Sequence, residues 1–167
     1  AAQLALALML AMAAGVLIRS VAKLPAMPVG FDPQQVLTAG FGLPGGMTPE
    51  AEANFYQRML EQTQALAGVR AAALTDALPF DASRGILADH DGARAVLRWS
   101  AVSPTYFATL GIPLLRGRGF AASDRAGAAQ VAVVSEKLAA EWWPGADPLG
   151  RQFTLRFKPD TRPWTVV

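Results

Sequence analysis

Apolar positions run unbroken from residue 4 to residue 18, with Arg19 and Lys23 just beyond them. A membrane-spanning helix needs roughly 20 residues. The simplest expectation is therefore that residues 1–22 are the C-terminal part of a transmembrane helix. A secretory signal peptide and a buried core helix are the rivals. A signal peptide carries its basic residues ahead of the apolar run, whereas here they follow it. Residues 23–30 hold Pro25, Pro28 and Gly30 and read as a linker that stops the helix.

The pattern then changes period. Residues 36–41 alternate, with Val36, Thr38 and Gly40 on one side and Leu37, Ala39 and Phe41 on the other, which predicts a strand. Thr48 is an N-cap, Pro49 suits the first helical position and Glu50 the positive end of the dipole. Phe55, Met59 and Leu66 recur at helical spacing, and Tyr56 and Leu60 widen the stripe, so a helix should run to about residue 67. Gly68 ends it, and residues 69–75 follow as an alanine-rich strand. A shorter copy of this unit comes later. Residues 131–134 predict a strand, and Ser135 caps a helix carrying Leu138, Ala139, Trp142 and Trp143. After the turn at Asp147-Pro148-Leu149-Gly150, Phe153, Leu155 and Phe157 alternate with polar residues, and Trp164 opens one more strand.

Between the two units, residues 81–91 read as polar and irregular. Residues 93–102 alternate Ala95, Leu97, Trp99 and Ala101 against Arg94, Val96, Arg98 and Ser100, a further strand. Ser103 is then an N-cap and Pro104 the first residue of a short helix with Tyr106, Phe107 and Leu110 on its apolar side. Gly111 and Pro113 end that helix, and Gly117 and Gly119 mark a turn around two arginines. The fold class expected is α+β: two strand–helix–strand units forming a mixed sheet, with an inserted small subdomain, preceded by part of a transmembrane helix.

Composition adds limits. The 167 residues are 52% hydrophobic and 17% charged, towards the membrane-associated side of globular averages. A net charge of +2, with scattered arginines, is no nucleic-acid signature. The absence of cysteine excludes disulfides, thiolate metal sites and cysteine nucleophiles.

Candidate chemistry is sparse. His90, the only histidine, lies between Asp89 and Asp91. Adjacent loop side chains rarely converge on a metal, and with Gly92 at the sixth place of a calcium loop the first ligand would fall on Leu87. A solvated turn is the better reading. Asp76, Asp81 and Asp124 have no spacing that forces two carboxylates together, so acid–base catalysis is not assigned to them. No Gly-x-Ser-x-Gly elbow surrounds Ser83, Ser100, Ser103, Ser123 or Ser135. Gly117-Arg118-Gly119 reads as a turn rather than a dinucleotide fingerprint, and without a Gly-x4-Gly-Lys-Ser/Thr loop the chain hydrolyses no ATP itself. Arg116, Arg118, Arg125 and Arg151 suit a solvated face better than a patch for an acidic partner. Trp142 and Trp143 point about 100° apart on a helix, so one ring at most faces the core and the other is free for a partner or an interface. No catalytic, cofactor-binding or metal-ligating residue is assigned.

The run from Ser103-Pro104 through Tyr106-Phe107 and Leu110-Gly111-Ile112-Pro113-Leu114-Leu115 to Gly117-Arg118 and Phe120 resembles the MacB-like periplasmic domain of FtsX-type ABC-transporter permeases. Gly30-Phe31-Asp32-Pro33 with Val36-Leu37-Thr38, Leu66-Ala67-Gly68-Val69 through Leu78-Pro79, and Val131-Ala132-Val133-Val134-Ser135-Glu136 with Trp143-Pro144-Gly145-Ala146 through Arg151 agree in the same order. The resemblance implies that residues 31–167 are a periplasmic core domain, cut short at its C-terminal end. It also implies a non-catalytic role in a cytoplasmic-membrane permease, with an ABC ATPase as partner through the membrane part. A periplasmic protein partner and a homodimer of the permease complete the expected partners; nucleic acid is not among them. The positive-inside rule would put Arg19 and Lys23 in the cytoplasm; the resemblance puts everything after the helix outside, and is followed. A membrane-anchored scaffold without an ATPase, or a membrane-anchored enzyme, are the alternatives.

Overall fold

A two-residue turn organises the sheet. In the computed structural model, which describes residues 2–23, 30–33, 36–43, 45–79, 85–125, 127–156 and 162–167, β1 (Gly85–His90) and β2 (Ala93–Arg98) pair antiparallel from Gly85↔Arg98 to His90↔Ala93. Asp91 (φ 45°) and Gly92 (φ 79°) join them. Positive φ at both central residues is the type I′ hairpin turn, whose twist matches the strands it connects. β4 (Gln152–Leu155) pairs antiparallel with β1, and β5 (Pro163–Val166) antiparallel with β4. β3 (Val131–Ala132) closes the other edge in parallel with β5. The order is β2-β1-β4-β5-β3, a mixed five-stranded sheet among the described residues.

The sheet buries one face. Ile86 and Ala88 of β1, Phe153 and Leu155 of β4 and Val166 of β5 form the core with Trp143. These large side chains keep a few per cent of their surface exposed, so each contributes somewhat less than the about 1.5–3 kcal/mol of complete burial. The helical cover is α4 (Glu136–Trp142), capped by Ser135, whose hydroxyl accepts from the Leu138 amide at 3.2 Å. Ala139 and Trp142 pack against the core from this helix.

Two more helices complete the domain. α2 (Pro49–Gln64) starts at Thr48, which accepts from the Ala51 amide at 3.3 Å, and has Pro49 in its first turn as expected. It ends three residues before the predicted 67 and buries no residue fully. α3 (Tyr106–Thr109) is a single turn.

The chain divides into two units, residues 1–34 and 35–167. The first holds α1 (Ala2–Lys23). Its described apolar side chains, from Leu6 and Leu8 to Ile18 and Val21, are exposed on every side of the helix. Among the described residues no helix is long and apolar enough to cross a membrane; described side chains in α1 run unbroken only over 6–22. Most of the linker, residues 24–29, lies outside the described residues, as do Asp81, Ser83 and Phe157.

Four expectations about the chain after the first helix are corrected. Residues 36–41 form no strand. Leu37 stands 94% exposed, and Phe41 turns onto the rings of Phe55 and Tyr56 of α2, both at 6.1 Å. A strand needs a ladder partner, and among the described residues none is offered. Residues 69–75 are extended but meet the rest of the fold through one isolated bridge, Thr75↔Val102. Side chains stand in for the ladder. The Ser103 hydroxyl accepts from the Leu74 amide at 2.9 Å, the Asp76 carboxylate accepts from the Ala101 amide at 2.9 Å, and the Thr105 hydroxyl donates to the Ala72 carbonyl at 2.8 Å. This also corrects Ser103 as an N-cap, because its hydroxyl is committed to residue 74 and the N-cap of α3 is Thr105, which makes no side-chain cap hydrogen bond. Finally, residues 85–90 are a strand rather than irregular, so the stretch read as an insertion supplies two of the five strands.

Candidate functional site

The hairpin tip and the end of α4 meet at His90. Inward positions on β1 are Ile86, Ala88 and His90, so the imidazole takes the third place on the core face. It stacks on Trp142 (centroids 4.9 Å, planes 8° apart) and meets Trp143 edge-on at 4.8 Å. Trp142 in turn meets Phe153 edge-on at 5.6 Å. The His90 Nε2 lies 3.1 Å from the Trp142 carbonyl and 3.3 Å from Asp91 Oδ2. Both neighbours are acceptors, so Nε2 carries the hydrogen and donates. Nδ1 is buried with no partner among the described residues. A shallow depression of about 250 Å³ opens beside the ring, lined by His90, Asp91, Ala93, Ala95, Glu141 and Trp142. The imidazole pins the end of α4 to the hairpin through the Trp142 carbonyl; the hydroxyls of Ser103 and Ser135 accept from the Leu74 and Leu138 amides. Among the described residues no three His, Asp or Glu side chains gather as a metal ion would require.

The solvated-turn reading of residues 89–91 is therefore corrected in part. Asp91 is 86% exposed in the turn, but His90 is core and Asp89 is in a strand. Of the two tryptophans, Trp143 is the buried one (5% exposed) and Trp142 is half-buried; the helical spacing does not decide this, because Trp143 is the C-cap of α4 with φ −129° and both rings meet His90.

The opposite face of the sheet presents charge around a small apolar centre. Asp89 sits opposite Arg94 in register and accepts from its Nε at 3.0 Å; Arg156 Nε donates to the other carboxylate oxygen at 2.6 Å. These two guanidinium groups, Arg94 first, hold the Asp89 carboxyl below its ordinary value of 3.8. Leu87 and Val96, directly paired across the strands, stay 44% and 69% exposed. Sequence reading missed this arrangement. Its signal was the Asp91-Gly92 dipeptide, which fixes the register that sets Asp89 against Arg94.

The remaining candidates are scattered. Arg118 forks onto Asp124 at 2.6 and 3.0 Å, and the same carboxylate accepts from the Ala121 amide at 2.8 Å. The pair holds the Asp124 carboxyl low and raises the Arg118 guanidinium. Asp124 thereby staples a turn. Arg116 reaches only 3.9 Å from Asp147 Oδ1, and Arg151 donates to the Asp147 carbonyl at 3.4 Å. Asp76 is bound to the Ala101 amide. Gly117 has φ 74°, and a Cβ there would lie 2.7 Å from the Val167 backbone carbon.

Fold and site define a small mixed-sheet α+β domain with a charged outer sheet face; among its described residues no three His, Asp or Glu side chains converge. The chain belongs to the MacB-like periplasmic core domain family, whose profile matches residues 4–167. Among solved structures, the periplasmic region of MacB from Actinobacillus actinomycetemcomitans is similar at a TM-score of 0.52 and 15% identity. The match covers 66% of this chain and 48% of that one, so the chain spans about half the length of that structure. At this identity the likeness speaks for the fold alone. No match was found among the curated proteins.

Proposed function

We propose that this chain is the non-catalytic extracytoplasmic part of an ABC-transporter permease subunit. It stands on the outer side of the cytoplasmic membrane and passes ATP-driven motion of the membrane helices to substrates or partner proteins there. Family membership across residues 4–167 carries the reading, because one match takes in both the apolar helix and the sheet domain. Residues 1–22 are the end of a spanning helix in this reading. Apolar side chains on every side of α1 support it, since a helix apolar all round belongs in lipid or in a large core. With no phosphate-binding loop in the sequence, the energy must come from a separate or fused ATPase.

The test is on the full-length parent protein, purified from native membranes in detergent. The expected result is a co-purifying subunit or fused domain with vanadate-sensitive ATPase activity. A parent that purifies alone, with one span and no ATPase, overturns the reading and leaves a tethered scaffold.

A further inference from the structure

We infer that β2 is a docking edge, completed by an extended acidic segment of a partner protein that adds to the sheet as a further strand. The inference stands apart from coupling to an ATPase and holds or fails without it.

The hairpin geometry sets which backbone groups are free. In a two-residue hairpin the closing pair, here His90↔Ala93, exchanges both of its backbone hydrogen bonds, and so does every second pair beyond it. Ala88↔Ala95 and Ile86↔Leu97 are those pairs. Arg94, Val96 and Arg98 therefore turn their N–H and C=O groups away from β1. Among the described residues β2 is the outermost strand of its side of the sheet. Among the described residues no backbone hydrogen bond outside the β1 ladder reaches these three positions. At six residues, the edge is as long as any strand in the sheet.

Side chains on the same three residues say what fits. Val96 is 69% exposed, with half-exposed Leu87 beside it, and Arg94 and Arg98 flank it along the strand. Asp89 neutralises Arg94. Arg98 faces Gly85 in register, which offers it no side chain, and no ion pair engages it among the described residues. A guarded edge would carry charge or proline at its centre; this one carries valine. A second copy does not fit. Antiparallel pairing of two β2 strands about Val96 sets Arg94 against Arg98 twice, and parallel pairing in register sets each arginine against itself, both unfavourable. An incoming strand with an apolar residue facing Val96 and a carboxylate facing Arg98 satisfies every group. Main-chain bonds give the affinity and alternate side chains the specificity.

The test uses the full-length parent protein in detergent micelles and two end-capped peptides, Thr-Glu-Thr-Val-Thr-Glu-Thr and its lysine counterpart Thr-Lys-Thr-Val-Thr-Lys-Thr. Titration should show at least tenfold tighter binding of the glutamate peptide, with slowed exchange of the Val96 amide. Arg98→Glu should reverse the preference. Val96→Pro removes an outward N–H that the β1 ladder does not use, so it should leave the circular dichroism spectrum intact and abolish binding. Equal affinity for the two peptides overturns the proposal, as does glutamate-peptide binding that leaves the Val96 amide unprotected. A sedimentation dimer with Val96 already protected overturns it in favour of a second copy. Should Val96→Pro fail to fold, the natural protein's amide exchange and Arg98→Glu decide.

Discussion

Gly117 and Gly150 have nearly the same φ, 74° and 75°, in very different surroundings. A Cβ on Gly150 would meet nothing within 4 Å. One on Gly117 would lie 2.7 Å from the Val167 carbonyl carbon, 2.8 Å from Leu149 Cδ2 and 2.9 Å from the Val167 oxygen. Alanine at either position carries the left-handed strain, about 1–2 kcal/mol. At Gly150 nothing else is added. At Gly117 the leucine end can move, but the Val167 backbone is held by its own amide, which donates to the Ala132 carbonyl at 3.1 Å. Overpacking against a fixed backbone adds about 1–3 kcal/mol. Gly150→Ala should therefore cost about 1–2 kcal/mol and Gly117→Ala about 2–5 kcal/mol. The gain from a stiffer unfolded chain is common to both and cancels in the comparison. Urea unfolding of the two variants and the natural chain, followed by tryptophan fluorescence, gives both numbers. Equal losses, or a larger loss at Gly150, would refute the claim that close approach rather than backbone conformation reserves residue 117 for glycine.

The two adjacent tryptophans should differ in the same assay. Trp143→Ala empties the core and should cost about 3–5 kcal/mol, whereas half-buried Trp142→Ala should cost clearly less. A larger loss at Trp142 would mean that its stack on His90, not burial, carries the energy. Asp124 gives a pH signature. Its carboxyl is held low, by Arg118 first and then by the Ala121 amide. A depressed carboxyl contributes stability above its unfolded value, ordinarily 3.8, and loses it as pH falls through the lower folded value. The stability difference between the natural protein and Asp124→Asn should thus be constant above about pH 5 and shrink below about pH 4. A difference that ignores pH down to about 2.5 would show that the carboxylate is not the source.

What was legible in the sequence had its partner close by in the chain. Thr48 and Ser135 cap helices because each accepts from an amide three residues on, and both were readable. Alternation placed Ala95 and Leu97 on the inner side of β2, Trp99 in step just beyond it, and Phe153 and Leu155 in the core. β1 was not readable in the same way, because its third inward position is an imidazole. Only Trp142 and Trp143, over fifty residues later, make that place apolar enough for His90. Read as a polar residue between two aspartates, His90 broke a pattern that Ile86 and Ala88 had begun.

The same reasoning explains the errors that went the other way. Residues 36–41 and 69–75 carry acceptable strand patterns, yet a pattern specifies a face and not a partner. Ser103 shows how a local rule loses to a distant bond. Its sequence context, with Pro104 following, is that of an N-cap, but the Leu74 amide 29 residues away needs an acceptor and receives the hydroxyl. An unmet buried amide costs about 1–3 kcal/mol, against about 1 kcal/mol for a cap on a helix of one turn. The hydroxyl goes where its absence would cost more, so the Ser103-Pro104 step is spent on joining two stretches of chain rather than on capping a helix. The charged outer face follows from the same principle. Asp89, Arg94 and Arg156 mean nothing as a spacing; only the register fixed by Asp91-Gly92, with β4 beside β1, turns them into one cluster next to an open edge.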